Sequence, residues 1–102
     1  ARRLLDSGLP DAVFAANDDI ALGLCHELLA AGVRIPDDVA VVGFDDIPLA
    51  RWATPSLSSV IQDFDALGQA SLRLSDELVE GAPAHSICLK PQLVVRASTT
   101  KA

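Results

Sequence analysis

The chain of 102 residues has little cysteine, few aromatic residues and no long apolar run. Its longest apolar stretches, such as Ala12–Ala16 and Val39–Val42, are far shorter than the ~20 residues that a membrane-spanning helix requires. With only 6 glycines and 6 prolines, the composition also differs from collagen-like and low-complexity sequences. Because 50% of the residues are hydrophobic, we expect one small folded domain, or part of a larger one, rather than a disordered segment.

Basic residues are scarce as well. Eight Lys and Arg stand against 14 Asp and Glu, which gives a net charge of -6 and an isoelectric point near 4.5. Among the basic residues, only Arg2 and Arg3 are adjacent. Because nucleic-acid binding needs clustered Lys and Arg against the phosphates, the composition argues against a DNA-contacting surface within these residues.

The two cysteines, Cys25 and Cys88, form no CxxC motif and have no histidine at metal-ligand spacing. We therefore expect no metal site and two buried free thiols, because free cysteine packs as a small hydrophobe. A disulfide is the alternative and would suit a secreted protein. Nothing resembles a signal peptide, but the sequence lacks an initiator Met and opens in a helical pattern, so we expect further chain upstream.

Two apolar runs are each followed by polar residues that favour a helix start or a turn. The run 12–16 predicts a strand buried on both faces, and the next segment predicts a helix over 18–31 that Gly32 ends. The run 39–44 predicts a second buried strand. Alternating strand and helix predicts an α/β fold with a parallel sheet.

The pattern beyond Pro48 is less regular. A second helix begins at Asp63 or Asp65 and runs to about Val79. Like the helix over 18–31, this later helix carries an apolar stripe. The further expected elements are a helical turn over 49–52, an extended segment over 57–62, and strands over 86–90 and 93–96. The stripe of the later helix consists of Leu67, Ala70, Leu74 and Leu78.

The helix over 18–31 is apolar on two sides. One row must cover the sheet, and the other needs another partner, such as a neighbouring subunit. Alternatively, Leu22 and Leu29 are scattered surface residues, which are common in soluble proteins. The two rows are Ile20, Leu24 and Leu28, and Leu22, Cys25 and Leu29.

Asn17 and Asp45 are the candidate ligand-binding residues, because each follows a predicted strand and ligands of parallel sheets bind at the strands' carboxyl ends. Neighbouring strands lie about 4.8 Å apart, so an amide and a carboxylate would face one crevice. Together they suit vicinal hydroxyls of a small polar ligand. The alternative is purely structural, with Asn17 capping the helix and Asp45 in a turn.

The sequence gives little support for a catalytic site. The sequence contains no GxSxG, GxxxxGK[ST] or GxGxxG motif. His26 and His85 are most simply surface residues. The doublet Asp45–Asp46 could hold Mg²⁺, but no nucleophile or lysine follows at a suitable position. We therefore expect no enzyme and no cofactor; a small α/β enzyme would need a catalytic group that the sequence does not offer.

Five segments resemble the C-terminal part of the lactose-repressor (LacI/GalR) family of transcription regulators. They cover almost the whole chain in the family's order, although Ser58 and Ser59 stand where the family usually has two threonines. The combination of Ala15–Asp18 with Val42–Pro48 is the most specific part of the resemblance. The segments are Ala15–Asp18, Arg34–Val39, Val42–Pro48, Pro55–Val60 and Leu93–Ser98.

The resemblance implies a periplasmic-binding-protein-like fold that is incomplete here. Residues 1–60 would hold the second half of the C-terminal effector-binding lobe. Residues 61–85 would be a crossover and a helix of the N-terminal lobe, and residues 86–102 would be returning strands and the C terminus. DNA would be bound only through a helix-turn-helix headpiece outside this chain.

The resemblance also implies roles for particular residues. Asn17 and Asp45 correspond to effector contacts, with Trp52 and Gln62 near the pocket. Leu22 and Cys25 correspond to a subunit contact. The expected partners are a small effector such as a sugar, and a second copy of the chain, in a cytoplasmic protein without a membrane partner. The rival is a periplasmic or receptor-type sugar-binding protein of the same fold.

Overall fold

Strands and helices alternate along the first half of the chain, as the apolar runs predict. The computed structural model describes residues 1–101, and the chain forms two compact units. One comprises Ala1–Ile61 and the C-terminal segment from Leu93, and the other comprises Gln62–Gln92. The elements are α1 (Arg2–Ser7), β1 (Ala12–Phe14), α2 (Asp18–Ala30), β2 (Ala40–Phe44), α3 (Pro48–Trp52), β3 (Ser58–Ile61), α4 (Phe64–Val79) and β4 (Gln92–Val94).

The strands form one sheet in the order β1-β2-β3-β4 over the described residues. β1 pairs in parallel with β2, where Phe14 lies opposite Val42, and β2 pairs in parallel with β3, where Val42 lies opposite Ser58. The predicted α/β fold with a parallel sheet is therefore confirmed. The carboxyl ends of β1, β2 and β3 consequently meet at one edge of the sheet.

β1 differs from its prediction as a strand buried on both faces. Ala12 is exposed and 63% of Phe14 is accessible, whereas Val13 is half-buried. Because side chains of a strand alternate between the two faces of a sheet, β1 is covered on the face of Val13 and open on the face of Ala12 and Phe14. β2 is central, and its residues Val41 and Gly43 are buried.

Helix α2 packs one face on the sheet and provides much of the core. Its buried apolar positions follow the i, i+3, i+4, i+7 pattern of a single amphipathic stripe. The predicted division into two apolar rows was therefore partly wrong, because Ile20 of the first row is 55% exposed and Cys25 of the second belongs to the buried stripe. The core cluster consists of Ala15, Ala21, Leu24, Cys25, Leu28, Val39, Val41, Ala50 and Leu57.

The C-terminal segment departs from the two strands predicted over 86–90 and 93–96. Residues 86–90 form no strand, and β4 covers Gln92–Val94. The second strand ends early because the backbone N–H of Arg96 donates to Oγ of Ser58, at 2.7 Å, instead of to a strand neighbour. Ser98 then donates its hydroxyl to the carbonyl of Val41, which ties the segment to β2.

The second unit contains α4, which begins where the sequence predicts. Oδ1 of Asp63 accepts the N–H of Ala66 at 2.9 Å and so caps the helix. On the predicted apolar stripe, Leu67 is 43% and Leu78 is 53% exposed. Later in this unit, Cys88 is exposed, so the prediction of two buried thiols holds only for Cys25, and the disulfide alternative is wrong because both thiols are free.

Within residues 1–101, none of the helices combines the length and apolar character needed to cross a membrane.

Candidate functional site

Asn17 and Asp45 occupy matching positions after neighbouring parallel strands. Phe14 lies opposite Val42 in the β1–β2 register, and each candidate residue follows its strand residue at the same interval. The N–H of Ala15 donates to the carbonyl of Val42 at 2.8 Å, which extends the pairing toward the end of β1. An amide and a carboxylate therefore follow the carboxyl ends of two neighbouring strands at equivalent positions.

The side chain of Asn17 also caps helix α2. Its Oδ1 accepts the N–H of Ile20 at 2.9 Å, and its backbone is extended, as expected of an N-cap. Asn17 therefore has the helix-capping role that its position in the sequence gave as the alternative to ligand binding. Because Oδ1 is engaged, the capacity of Asn17 to recognise a ligand lies in the two donors of Nδ2.

The loop after β2 has an unusual backbone at Asp45 and Asp46. Their φ angles are 107° and 53°, in the left-handed region that non-glycine residues rarely adopt. Asp45 is half-buried and donates its backbone N–H to the carbonyl of Val60 at 2.8 Å. The conformation of this loop therefore depends on contacts with β3, on the far side of β2 from β1.

The second carboxylate of the doublet is paired with a cation. Nη1 of Arg96 lies 2.6 Å from Oδ1 of Asp46 and also donates to the carbonyl of Leu57 at 2.8 Å. The Arg96 and Asp46 side chains are only 12% and 11% exposed. Asp46 is thus committed to an ion pair, and no cluster of three or more potential metal ligands occurs within residues 1–101.

Trp52 shares a cavity with this ion pair. It lines a cavity of about 210 Å³ together with Asp46 and Arg96, and 76% of the Trp52 surface is exposed. Gln62 is half-buried and belongs to the second unit. The structure therefore puts Asn17 and Asp45 after neighbouring strands at the same end of the sheet, and Trp52 at a cavity that Asp46 also lines. The whole lining consists of Asp46, Ile47, Pro48, Arg51, Trp52 and Arg96.

Two residues that support this edge were not predicted. Asp18 is fully buried, and its carboxylate accepts the N–H of Ile47 at 2.8 Å and the hydroxyl of Ser59 at 2.6 Å. Ser59 is also fully buried and accepts the N–H of Asp46 at 3.0 Å. Periodicity could not reveal these bonds because they join positions far apart in the chain. Arg96 was missed for the same reason.

Leu22 and Cys25 lie together in an apolar groove of about 410 Å³. Leu22 is half-buried, and Cys25 is buried at the junction of groove and core. Burial raises the pKa of the Cys25 thiol, which keeps the sulfur neutral. The lining residues are Leu22, Cys25, His26, Leu29, Ala30, Ala53, Thr54 and Pro55.

Comparison with known proteins agrees with this architecture. A family model described as a periplasmic binding protein-like domain matches residues 1–99. The transcriptional regulator MalR of Streptomyces coelicolor is 44% identical over 93 residues, which are 89% of this chain and 27% of that protein. A lactose operon repressor of Rhizobium radiobacter is 38% identical over 93 residues, covering 90% of this chain and 82% of that sequence.

Solved structures match equally well. The lac repressor dimer bound to operator and the anti-inducer ONPF superimposes with a TM-score of 0.88 at 34% identity, over 97% of this chain and 31% of that one. The complex of the regulator CelR with cellobiose has a TM-score of 0.85 at 40% identity, over 95% and 31% of the two chains. The chain therefore spans about a third of these structures, and about a quarter of MalR.

Proposed function

This chain belongs to the lactose-repressor (LacI/GalR) family, and we propose that it forms the effector-binding and dimerisation part of a DNA-binding transcription regulator. A transport protein of the same fold is not favoured, because the relatives described above are transcription regulators and repressors. Since the chain itself carries a charge of -6, DNA contact is assigned to a headpiece outside residues 1–102. A regulator of this kind acts in the cytoplasm and needs no catalytic group.

The observation that carries the effector site is the in-register placement of Asn17 and Asp45. Nδ2 of Asn17 can only donate hydrogen bonds, and an ionised Asp45 carboxylate can only accept them. A hydroxyl group can accept from the first and donate to the second, so adjacent hydroxyls of one ligand satisfy both side chains. This chemistry supports a sugar as the effector, and it fits relatives such as CelR, which was solved with cellobiose.

Trp52 and Gln62 complete the proposed ligand contacts. An aromatic face packs well against the apolar C–H face of a sugar ring, and Trp52 is accessible enough to do so. The amide of Gln62 offers both donors and an acceptor to further hydroxyls. The second unit, residues 62–92, is proposed to belong to the N-terminal lobe, and the first unit to the C-terminal lobe.

Calorimetric titration of the intact protein with lactose, cellobiose and glucose tests the effector site. We expect at least one sugar to bind, and Asp45→Asn to weaken it at least ~10-fold, because hydrogen bonds to charged groups contribute about 1.5–3 kcal/mol. Asn17→Ser keeps a capping oxygen while removing the Nδ2 donors, so it should weaken binding without unfolding α2. Absence of binding to all three sugars, or full affinity in Asp45→Asn, would contradict the proposal.

The subunit contact is proposed for the groove that holds Leu22 and Cys25. The groove is apolar and lies on the part of α2 near Leu29 and on the segment before β3. A second copy of the chain is the proposed occupant, in line with the dimeric lac repressor structure. Leu22→Arg would bury an unpaired charge in that contact and should shift sedimentation from dimer to monomer. An unchanged dimer would exclude this contact; Glu27→Arg, at an exposed position of the same helix, serves as control.

A further inference from the structure

The loop that presents Asp45 is held in a conformation that it would not adopt unaided. Asp45 and Asp46 both have positive φ values, at 107° and 53°. Such a conformation is unfavourable for a non-glycine residue and persists only where the surroundings over-determine it. Contacts that hold the loop therefore also control where the Asp45 carboxylate lies.

Three successive backbone N–H groups of the loop are bound from outside it. The N–H of Asp45 donates to the carbonyl of Val60, and the N–H of Asp46 donates to Oγ of Ser59 at 3.0 Å. The N–H of Ile47 donates to Oδ2 of Asp18 at 2.8 Å. The first bond is ordinary backbone pairing with β3, whereas the other two depend on particular side chains.

Asp18 and Ser59 act as one unit in the interior. Both are fully buried, and the hydroxyl of Ser59 donates to Oδ1 of Asp18 at 2.6 Å. Asp18 lies at the start of α2, directly after Asn17, so the same short segment carries a ligand contact and a loop anchor. The unit thereby fixes the loop with Asp45 relative to the helix terminus with Asn17.

We infer that Asp18 and Ser59 are positioning residues for the effector site, which hold the Asp45 carboxylate in register with the Asn17 amide. This inference rests on the proposed function. Neither side chain needs to touch the effector. Loosening the unit lets the strained loop relax and separates the two groups that must bind neighbouring hydroxyls, so affinity falls although both ligand-binding side chains remain.

Ser58 provides the matched control because it is also fully buried on β3 and forms hydrogen bonds elsewhere. Its Oγ accepts the N–H of Arg96 at 2.7 Å and lies 2.6 Å from Oγ1 of Thr99. The Ser58 hydroxyl thus anchors the C-terminal segment rather than the N–H groups of the loop. Loss of this hydroxyl removes bonds to the C-terminal backbone but leaves the Ser59–Asp18 bond and the side-chain pair of Arg96 with Asp46 in place, so it should reduce stability with a much smaller effect on the loop.

The experiment compares wild type, Ser59→Ala, Ser59→Thr and Ser58→Ala in the intact protein. Amide hydrogen exchange at Asp46 and Ile47 reports the loop, and titration with lactose, cellobiose and glucose reports the site. In Ser59→Ala we expect exchange at Asp46 to rise and sugar affinity to fall, each by about 5-fold or more, the equivalent of one lost hydrogen bond. Ser59→Thr retains Oγ and should restore both, whereas Ser58→Ala should leave sugar affinity within about 2-fold of wild type.

If Ser59→Ala does not fold, Ser59→Val and Ser59→Thr are compared instead, because they share a shape and differ only in the hydroxyl. Wild-type affinity in the variant without the hydroxyl would overturn the positioning role while the proposed function stood. Equal losses in Ser58→Ala and Ser59→Ala would also overturn it, since the effect would then be general destabilisation. A wild-type protein that binds none of the sugars would contradict the proposed function itself, and the positioning role with it.

Discussion

Arg96 and Asp46 form a nearly buried ion pair that links the C-terminal segment to the loop after β2, with Nη1 and Oδ1 2.6 Å apart. The same Nη1 donates to the carbonyl of Leu57, so the guanidinium joins two segments that border the cavity near Trp52. Removing one partner of such a pair leaves a buried charge uncompensated. The stability of the loop therefore depends on Arg96, a residue far along the chain.

Arg96→Met should destabilise the protein by about 3–5 kcal/mol in urea unfolding, because Asp46 would remain buried and unpaired. The double variant Arg96→Met with Asp46→Asn should be less destabilised than the sum of the two single variants, since no isolated charge remains. Arg51→Met, at an exposed position beside the same cavity, is the control and should change stability by less than about 0.5 kcal/mol. An Arg96→Met variant as stable as wild type would contradict the role of the pair.

Gly43→Ala should destabilise the fold by about 1–3 kcal/mol, as overpacking of a well-packed core does. A Cβ on Gly43 would collide with Oδ1 of Asp18 and would lie 3.0 Å from Cδ2 of Leu57. The change would therefore also disturb the hydrogen bonds that Asp18 makes to Ser59 and Ile47. Thermal and urea unfolding measure the effect.

The matched control is Gly23→Ala on the exposed side of α2. No atom of the surroundings lies within 4 Å of a Cβ at Gly23, and alanine is favoured over glycine in a helix interior by about 1 kcal/mol. Gly23→Ala should thus leave stability unchanged or raise it. If both alanine variants behaved alike, steric collision at Gly43 would not be the reason why glycine stands there.

The pKa of Asp38 should be about 2 in the folded protein, and Arg34→Ala should return it toward its ordinary value of 3.8. The largest cause is the side-chain hydrogen bonding to Arg34, whose Nη2 lies 2.6 Å from Oδ1 of Asp38 and whose Nε lies 3.0 Å from Oδ2. The backbone N–H of Arg34 adds a further hydrogen bond.

Because the folded pKa is lower than the unfolded one, folding favours the ionised carboxylate. The stabilisation from this pair is therefore present above about pH 4 and is lost as the pH falls through about 2. An NMR titration of the Asp38 carboxyl carbon in wild type and Arg34→Ala checks the shift. An unchanged Asp38 titration in Arg34→Ala would show that Arg34 is not its cause.

Only Cys88 should react rapidly with a thiol reagent in the native protein at pH 8. Cys88 is exposed, whereas burial both shields Cys25 and raises the pKa of its thiol, and the thiolate is the reactive form. Mass spectrometry should map the fast label to Cys88, and Cys88→Ser should abolish it while Cys25→Ser leaves it. Equal labelling rates for the two thiols would mean that Cys25 is accessible.

The local elements of this protein follow from short-range sequence patterns. The polar residue after each apolar run marked the start of α2 and the loop after β2, because an N-cap and an amphipathic stripe are local properties. The parallel α/β arrangement followed from the order of those elements. That Asn17 and Asp45 follow neighbouring parallel strands could also be predicted, because their positions depend only on the order and spacing of these elements, whereas their joint contact with a ligand stays a prediction.

The tertiary structure decided the features that depend on residues distant in the chain. Burial of β1 on both faces failed as a prediction because an apolar run does not reveal whether other elements cover both faces of the strand. In the sequence, Asp18 resembles an ordinary first-turn acidic residue, and only the fold shows that Ser59 and Ile47 bind its carboxylate. The sequence predicts Arg96 as a strand residue, and only the fold shows its ion pair with Asp46. Each of these roles requires a partner that only folding brings near, because removal from water makes a polar group depend on whichever hydrogen bond the interior supplies.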